Sequence, residues 1–250
     1  MEGNIKKIED MSLNAWPSHK MELYDGWILR FSYFYTHRTN SVEQFGPSAL
    51  PWREKVSYCE DEYCRLGSPA VFKISPLVSP DFDYTLENRG YEIQHTTEVM
   101  TLDLKEALLS HPCDLVAVSD KISDQWISAL FDLKGMTNPI HRKIVPSMYR
   151  AIPKRTVCAS ISQDGKIVAT GLGILDRDYI GIYAIHVQEN FRGQGFARQI
   201  CTALLKEGMT RGACHAYLQV VKGNHPAKSL YSSLGFQYFY TYWFRVQPHS

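Results

Sequence analysis

Residues 189–198 read Glu-Asn-Phe-Arg-Gly-Gln-Gly-Phe-Ala-Arg and stand between a strand pattern and a helix pattern. Ahead of them, Tyr179–Val187 (YIGIYAIHV) is rich in β-branched and aromatic residues, which predicts a strand. After them, Ile200, Ala203, Leu204 and Leu205 recur at helical spacing, which predicts a helix from Phe196 to about Arg211. Glycine at 193 and 195 lets the backbone curl without a Cβ in the way. The first N–H groups of the following helix lack internal partners and carry the positive end of its dipole. A strand, a glycine loop and a helix start in this order make an anion site suited to a pyrophosphate. Arg192 and Arg198 add to the attraction.

Working outward, the second half of the chain alternates cleanly. Asp114–Ser119 reads as a short strand and Asp120–Leu133 as a helix with Ile122, Trp126, Ile127 and Leu130 on one stripe. His141–Ala151 is a second short helix. Thr156–Ser162 and Lys166–Leu175 flank the turn Gln163–Asp164–Gly165 and predict a hairpin. Beyond the glycine loop, His215–Val221 is a strand, Pro226–Leu234 a helix with proline in its first turn, and Phe236–Val246 a last aromatic strand. The order β-α-α-β-β-β-α-β-α-β implies an α/β fold whose mixed sheet combines hairpins with crossovers.

In the first half, Tyr24–Tyr35 with Arg38–Val42 reads as a hairpin, Pro51–Leu66 as a helix, Ala70–Ser75 as a strand and Tyr91–Leu104 as a long strand. Shifting this half by 145 residues lays Gly67 on Gly212 and Gly90 on Gly235 without a gap. We read a weak internal duplication, with one lobe over 1–105 and another over 112–250. The copies differ where it matters. Pro47–Ser48–Ala49–Leu50–Pro51–Trp52 stands where the second copy has Arg192–Ala197, so the first copy lacks the anion loop.

Composition bounds the rest. The 250 residues carry 27 Lys+Arg against 26 Asp+Glu and are 44% hydrophobic, which excludes disorder and a highly charged nucleic-acid-binding tail. Residues 1–105 hold 11 cations and 16 anions, and residues 106–250 hold 16 and 10, so the positive charge lies in the half with the glycine loop. Six cysteines without a CxxC pair or Cys/His ligand spacing predict buried free thiols and no metal site. The start MEGNIKKIED carries no apolar run, and no stretch reaches membrane-spanning length. A cytoplasmic protein without membrane or nucleic-acid partners, monomeric or homodimeric, is expected.

A second motif lies downstream of the glycine loop, N-x-x-A-x-x-L-Y-x-x-x-G-F over Asn224–Phe236. Together the two motifs resemble the GNAT superfamily of acyl-CoA-dependent N-acetyltransferases, whose acetyl-CoA motif R/Q-x-x-G-x-G/A matches Arg192–Ala197. The likeness covers about Asp114–Val246, and the first half is similar to the N-terminal part of two-lobed members. What the resemblance implies is acetyl-CoA as cosubstrate, no metal, and transfer to a primary amine of a small molecule. Acetylation of a protein or peptide amine, or a catalytically silent acyl-CoA-binding protein, is the alternative. By position, Ile185, His186 and Val187 would line the pantetheine arm, and Arg192, Gly193, Gln194, Gly195, Phe196, Ala197 and Arg198 would cradle the pyrophosphate. Asn224 would hold pantetheine or a relay water, and Lys228 would add to the coenzyme site. Tyr231 would protonate the departing thiolate as general acid.

One departure stands against the family pattern. Gly181 occupies the place where a catalytic carboxylate is often found. Tyr183, Asp178 and His186 are the neighbours that could serve instead, and the base stays unassigned. In the first half, Trp16, Trp27, Tyr33, Tyr35, His37 and Arg38 are candidates to line the acceptor pocket.

Overall fold

The computed structural model describes residues 2–106 and 111–248. After helix α1 (Glu2–Ala15), the first half runs β1 (Lys20–Tyr24), β2 (Trp27–Phe31), β3 (Val42–Gln44), α2 (Trp52–Arg65), β4 (Val71–Ile74), α3 (Pro80–Asn88) and β5 (Glu92–Asp103). The second half runs β6 (Ala117–Ser119), α4 (Asp124–Leu133), α5 (Pro139–Arg150), β7 (Arg155–Gln163), β8 (Lys166–Asp176) and β9 (Tyr179–Val187). It ends with α6 (Phe196–Thr210), β10 (His215–Val221), α7 (His225–Ser233) and β11 (Gln237–Val246). The second half has the α/β element order expected from the sequence, whereas α1 and α3 of the first half have no counterpart among the expected elements.

All the strands join one sheet in the order β1-β2-β3-β4-β11-β5-β10-β9-β8-β7-β6. Apart from the added edge strand β6, the order is a palindrome about the seam between β11 and β5. β3 is parallel to β4 and β9 is parallel to β10, while the other pairs are antiparallel. A shift of 145 residues carries α3 onto α7 and the start of β5 onto the start of β11. The last strands are exchanged: β11 pairs with β4 of the first half, and β5 pairs with β10 of the second. The sheet therefore runs unbroken across residue 105.

Local chemistry explains the connections. Asp164 and Gly165 both take positive φ (50° and 76°), which twists the β7–β8 hairpin in the favoured sense. Asp25 and Gly26 do the same (41° and 76°) between β1 and β2. The first hairpin thus spans residues 20–31, and the expected pairing of 24–35 with 38–42 is corrected. His37–Thr39 is instead a turn of 3₁₀ helix. Ser123 caps α4 by accepting from Trp126 N, so that helix starts later than residue 120.

Three apolar clusters fill the space around the sheet. One lies between the sheet and α1, α4 and α5 (Ile8, Trp126, Leu130, Met148). A second packs α6 and α7 on the opposite face, with Ile200, Leu204 and Leu234 wholly buried. The third sits under α2 and α3, around Trp27, Val56, Tyr63 and Phe82. All six cysteines are free, but only Cys59, Cys158 and Cys201 are buried; Cys113 is half-buried, and Cys64 and Cys214 are exposed. Among the described residues no helix is long and apolar enough to cross a membrane.

Candidate active site

The site begins where two strands part. β10 pairs with β9 from His215↔Tyr179 to Leu218↔Ile182 and no further, although the strands continue to Val221 and Val187. Residues 183–187 therefore present a backbone edge that β10 leaves unpaired. On the other side of β9 the register with β8 shifts between Thr170↔His186 and Leu172↔Tyr183, which marks a β-bulge. Ala184, in the bulge, has φ +52°, and Thr170 Oγ1 donates to its carbonyl at 3.1 Å. A left-handed residue other than glycine costs roughly 1–2 kcal/mol, and such strain collects where function requires it. The bulge leaves Tyr183 and Ala184 on the α4–α5 side, with Ile185 and Val187 packed toward α6.

The loop after β9 closes onto the sheet through Gln188 N to Val168 O at 2.8 Å. Gly193 and Gly195 take φ +77° and +80°, and Gly195 is the N-cap of α6 without a side-chain hydrogen bond. A Cβ built on either glycine meets nothing within 4 Å. The space in front of these N–H groups is open to a ligand.

Loop and splay share a groove of about 800 Å³. Ile185, His186 and Val187 form one wall, and Arg192, Gly193, Gly195, Phe196, Ala197 and Arg198 the end at the helix start. Asn224 and Tyr231 stand on the α7 wall. The side chains of two expected contributors turn away from the groove, although the part expected of Gln194 is its backbone N–H. Gln194 turns back to Asn190 O (3.3 Å), and Lys228 Nζ lies 2.5 Å from Glu98 Oε2 on β5. The groove also takes in Phe191, Pro226, Ser229 and Ser233, which the motifs did not name. Arg198 is held at the rim by Ser233 Oγ (2.7 Å).

Tyr231 is 9% exposed and packs edge-on to Phe236 with ring centroids 6.2 Å apart. Burial, with the Cys201 thiol second, holds its hydroxyl well above the usual phenol range. The hydroxyl therefore stays protonated at neutral pH. Asn224 lines the groove while its Oδ1 accepts from Ala227 N at 3.3 Å as the N-cap of α7.

The structure separates the candidate bases. A Cβ on Gly181 would fall 2.7 Å from the Tyr183 ring and 2.8 Å from the Tyr217 ring, so no carboxylate fits there. The hydroxyls of those two tyrosines bond each other at 2.5 Å in the interior. Asp178 lies at the far end of β9 with Lys7 (3.4 Å) and His215 (3.8 Å). Only His186 of the three reaches the groove. Burial, and then the charges of Lys134 and Arg192, lower its pKa to about 4, so its imidazole is neutral at pH 7.

The first half meets the second through residues 33–38 and Trp16, none of which lines the groove. Lys134 Nζ donates to Tyr35 Oη at 2.7 Å, and His141 Nε2 donates to Tyr33 O at 3.2 Å. Arg38 Nε donates to Tyr242 Oη at 3.0 Å. Trp16 stands edge-on to Tyr183, 6.4 Å between centroids. Trp27 does not belong to this set: it is 1% exposed inside the cluster under α2.

The counterpart of the glycine loop is closed by the chain itself. The Asp25 carboxylate accepts from Ser48 Oγ (2.6 Å), Ala49 N (3.0 Å) and Leu50 N (2.9 Å). Lys55, wholly buried, lies 3.3 Å from the same carboxylate. These bonds, the Ser48 bond foremost, hold the Asp25 carboxyl far below the usual range, so it stays an anion.

Comparison with known proteins fits this geometry. Residues 2–244 match the family model described as probable histone acetyltransferase Rv0428c, C-terminal. The chain belongs to this acetyltransferase family. The acetyltransferase is 27% identical over 248 residues to the uncharacterized N-acetyltransferase YobR of Bacillus subtilis strain 168, covering 98% of this chain and 99% of that one. Its fold matches a GCN5-related N-acetyltransferase from Kribbella flavida (TM-score 0.72, 15% identity, 98% and 96% of the two chains). It also matches a tandem GNAT protein from the clavulanic acid biosynthesis pathway (TM-score 0.66, 11% identity, 97% and 88%). The enzyme is an N-acetyltransferase of GNAT type, as the two motifs implied.

Proposed function

We propose that the enzyme moves the acetyl group of acetyl-CoA to a primary amine of a small molecule, with Tyr231 as general acid. The observation that carries this reading is the opening between β9 and β10, which places an unpaired strand edge, an uncapped helix start and a buried, protonated tyrosine around one groove. The fit to acetyl-CoA is chemical. The N–H groups at the start of α6, with Arg192 and Arg198, suit a pyrophosphate. The free edge at Ile185 and Val187 suits the amides of a pantetheine arm, which would add to β9 as a strand does.

In this reading acetyl-CoA supplies the thioester, and the chain's groups do the rest. Backbone N–H groups beside the Ala184 bulge polarise the thioester carbonyl. Neutral His186 accepts a hydrogen bond from the incoming amine and holds its lone pair toward the carbonyl carbon. The nitrogen loses its surplus proton to water, and Tyr231 gives its proton to the leaving sulfur. Holding both reactants in line supplies much of the rate. The test is release of coenzyme A thiol from acetyl-CoA, followed with DTNB, across a panel of amines. Release that depends on an amine supports the reading. Binding of coenzyme A without any amine-dependent release would make the chain a silent acyl-CoA-binding protein.

A further inference from the structure

Where residues 35–38 meet the α4–α5 side of the second half, two cations lie within reach of each other's charge. Lys134 follows the last turn of α4 and is bonded to Tyr35 Oη at 2.7 Å. Three residues beyond Tyr35, Arg38 is fixed through Nε by Tyr242 Oη, whose own proton goes to Gln219 Oε1 at 2.9 Å. Gln219 is held in turn by Ser12 (2.7 Å). Among the described residues, the terminal nitrogens of Arg38 and two of the Lys134 protons have no protein acceptor.

The neighbouring carboxylates are engaged elsewhere. Asp132 pairs with Arg142 at 2.5 Å, and Glu43 with Arg30 (3.3 Å) and Lys73 (3.7 Å). Among the described residues, none pairs with Lys134 or Arg38. Burial and the charge of Arg38 both lower the pKa of Lys134, and the charge of Lys134 is felt in turn at His186 on the groove wall. Trp16, Tyr35, Ala184 and Phe239, all partly buried, pack against the apolar cluster on this side of the sheet, with Ala184 next in sequence but one to the groove-lining His186.

We infer that the acceptor amine carries a negatively charged group, held by Lys134 and Arg38 at the seam between the two halves of the chain. Two donors of fixed direction without a protein carboxylate select an acceptor-rich anion. The same charges repel polyamines, aminoglycoside-like cations and the lysine-rich tail of a histone. The anion lies on the α4–α5 side, opposite α6 and α7, so an amine anchored there would reach the thioester past Ala184 and His186. This rests on the acetyltransferase reading and narrows its substrate class.

The experiment measures kcat/KM with acetyl-CoA for matched acceptors on the full chain. α-Amino acids are compared with their carboxamides and decarboxylated amines, glucosamine 6-phosphate with glucosamine, and spermidine serves as the cationic member. The inference expects the charged member of the carboxylate or the phosphate pair to exceed its uncharged counterpart at least tenfold, and that pair identifies the anion. Lys134→Gln should erase most of this preference through KM, and Lys134→Arg should restore it, with coenzyme A affinity unchanged in both. Preference for the uncharged amines or for spermidine would overturn the inference and leave acetyl transfer standing. Failure of every amine to raise thiol release would overturn both.

Discussion

Asp25 Oδ2 accepts a hydrogen bond from Leu50 N at 2.9 Å, inside the loop that corresponds to the glycine loop of the second half. The carboxylate takes up the N–H groups of Ala49 and Leu50, with Lys55 as its buried counter-ion. The enzyme should therefore bind one acetyl-CoA per chain. Calorimetric titration with coenzyme A checks this, and two equivalent sites would contradict it. Asp25→Ala should lower the thermal midpoint, because it removes the acceptor of Ala49 N and Leu50 N and the counter-charge of Lys55, which keeps its bonds to the residue 25 carbonyl and Ser48 Oγ.

Gly195→Asp should weaken acetyl-CoA binding by at least ~2 kcal/mol, about thirtyfold. The added Cβ meets no protein atom within 4 Å, so the folded state bears only the strain of φ +80°. The carboxylate faces the bound phosphates with like charge. Gly195→Ala carries the strain alone and separates the two effects. Equal affinity of a folded Gly195→Asp chain would show that the loop only caps its helix.

Much of this site was legible in the sequence because the determinants are local. Glycines at 193 and 195, the strand before them and the stripe after them sit within one short segment, and their geometry follows from backbone sterics. The bulge at Ala184 was not legible. Alanine announces no left-handed residue, so the shift in register that the bulge makes beside Ile185, His186 and Val187 was not foreseen. Lys228 was misplaced for a different reason: its partner Glu98 arrives on β5, which crosses from the first half to pair with β10. A strand exchange of that kind leaves no local trace. The first hairpin could have been found, since Asp25–Gly26 carries the same turn chemistry as Asp164–Gly165. Gly181 is explained only in three dimensions, by the two tyrosine rings that occupy the space of a side chain.

Tyr231→Phe removes one hydroxyl and keeps the ring on Phe236, so stability should change little. Loss of a general acid belongs to the transition state, and kcat should fall with acetyl-CoA affinity nearly intact. Such assistance is worth ~10²–10⁴-fold, and a thiolate is already a fair leaving group, so a fall of roughly tenfold to a hundredfold is expected. Steady-state kinetics with acetyl-CoA varied decides it. A normal kcat, or a raised KM alone, would remove the general-acid role.

His37 and His186 both have pKa values lowered to about 4, chiefly by burial. Unfolding returns each toward the ordinary 6.5. Between those limits the unfolded chain binds more protons, so stability should fall as pH drops from 6.5 toward 4. Thermal melts at pH 7 and pH 4.5 should show this, and His37→Asn with His186→Asn should flatten the dependence. An unchanged slope in the double variant would mean that other groups govern it.

Transfer itself is tested most directly by mixing the intact enzyme with acetyl-CoA and one amine, then recording DTNB-reactive thiol alongside the mass of the amine. The account predicts thiol and singly acetylated amine appearing in equal amounts, both falling together in the Tyr231→Phe and Gly195→Asp variants. Thiol release that is the same with and without amine, or an amine recovered unchanged, would contradict it.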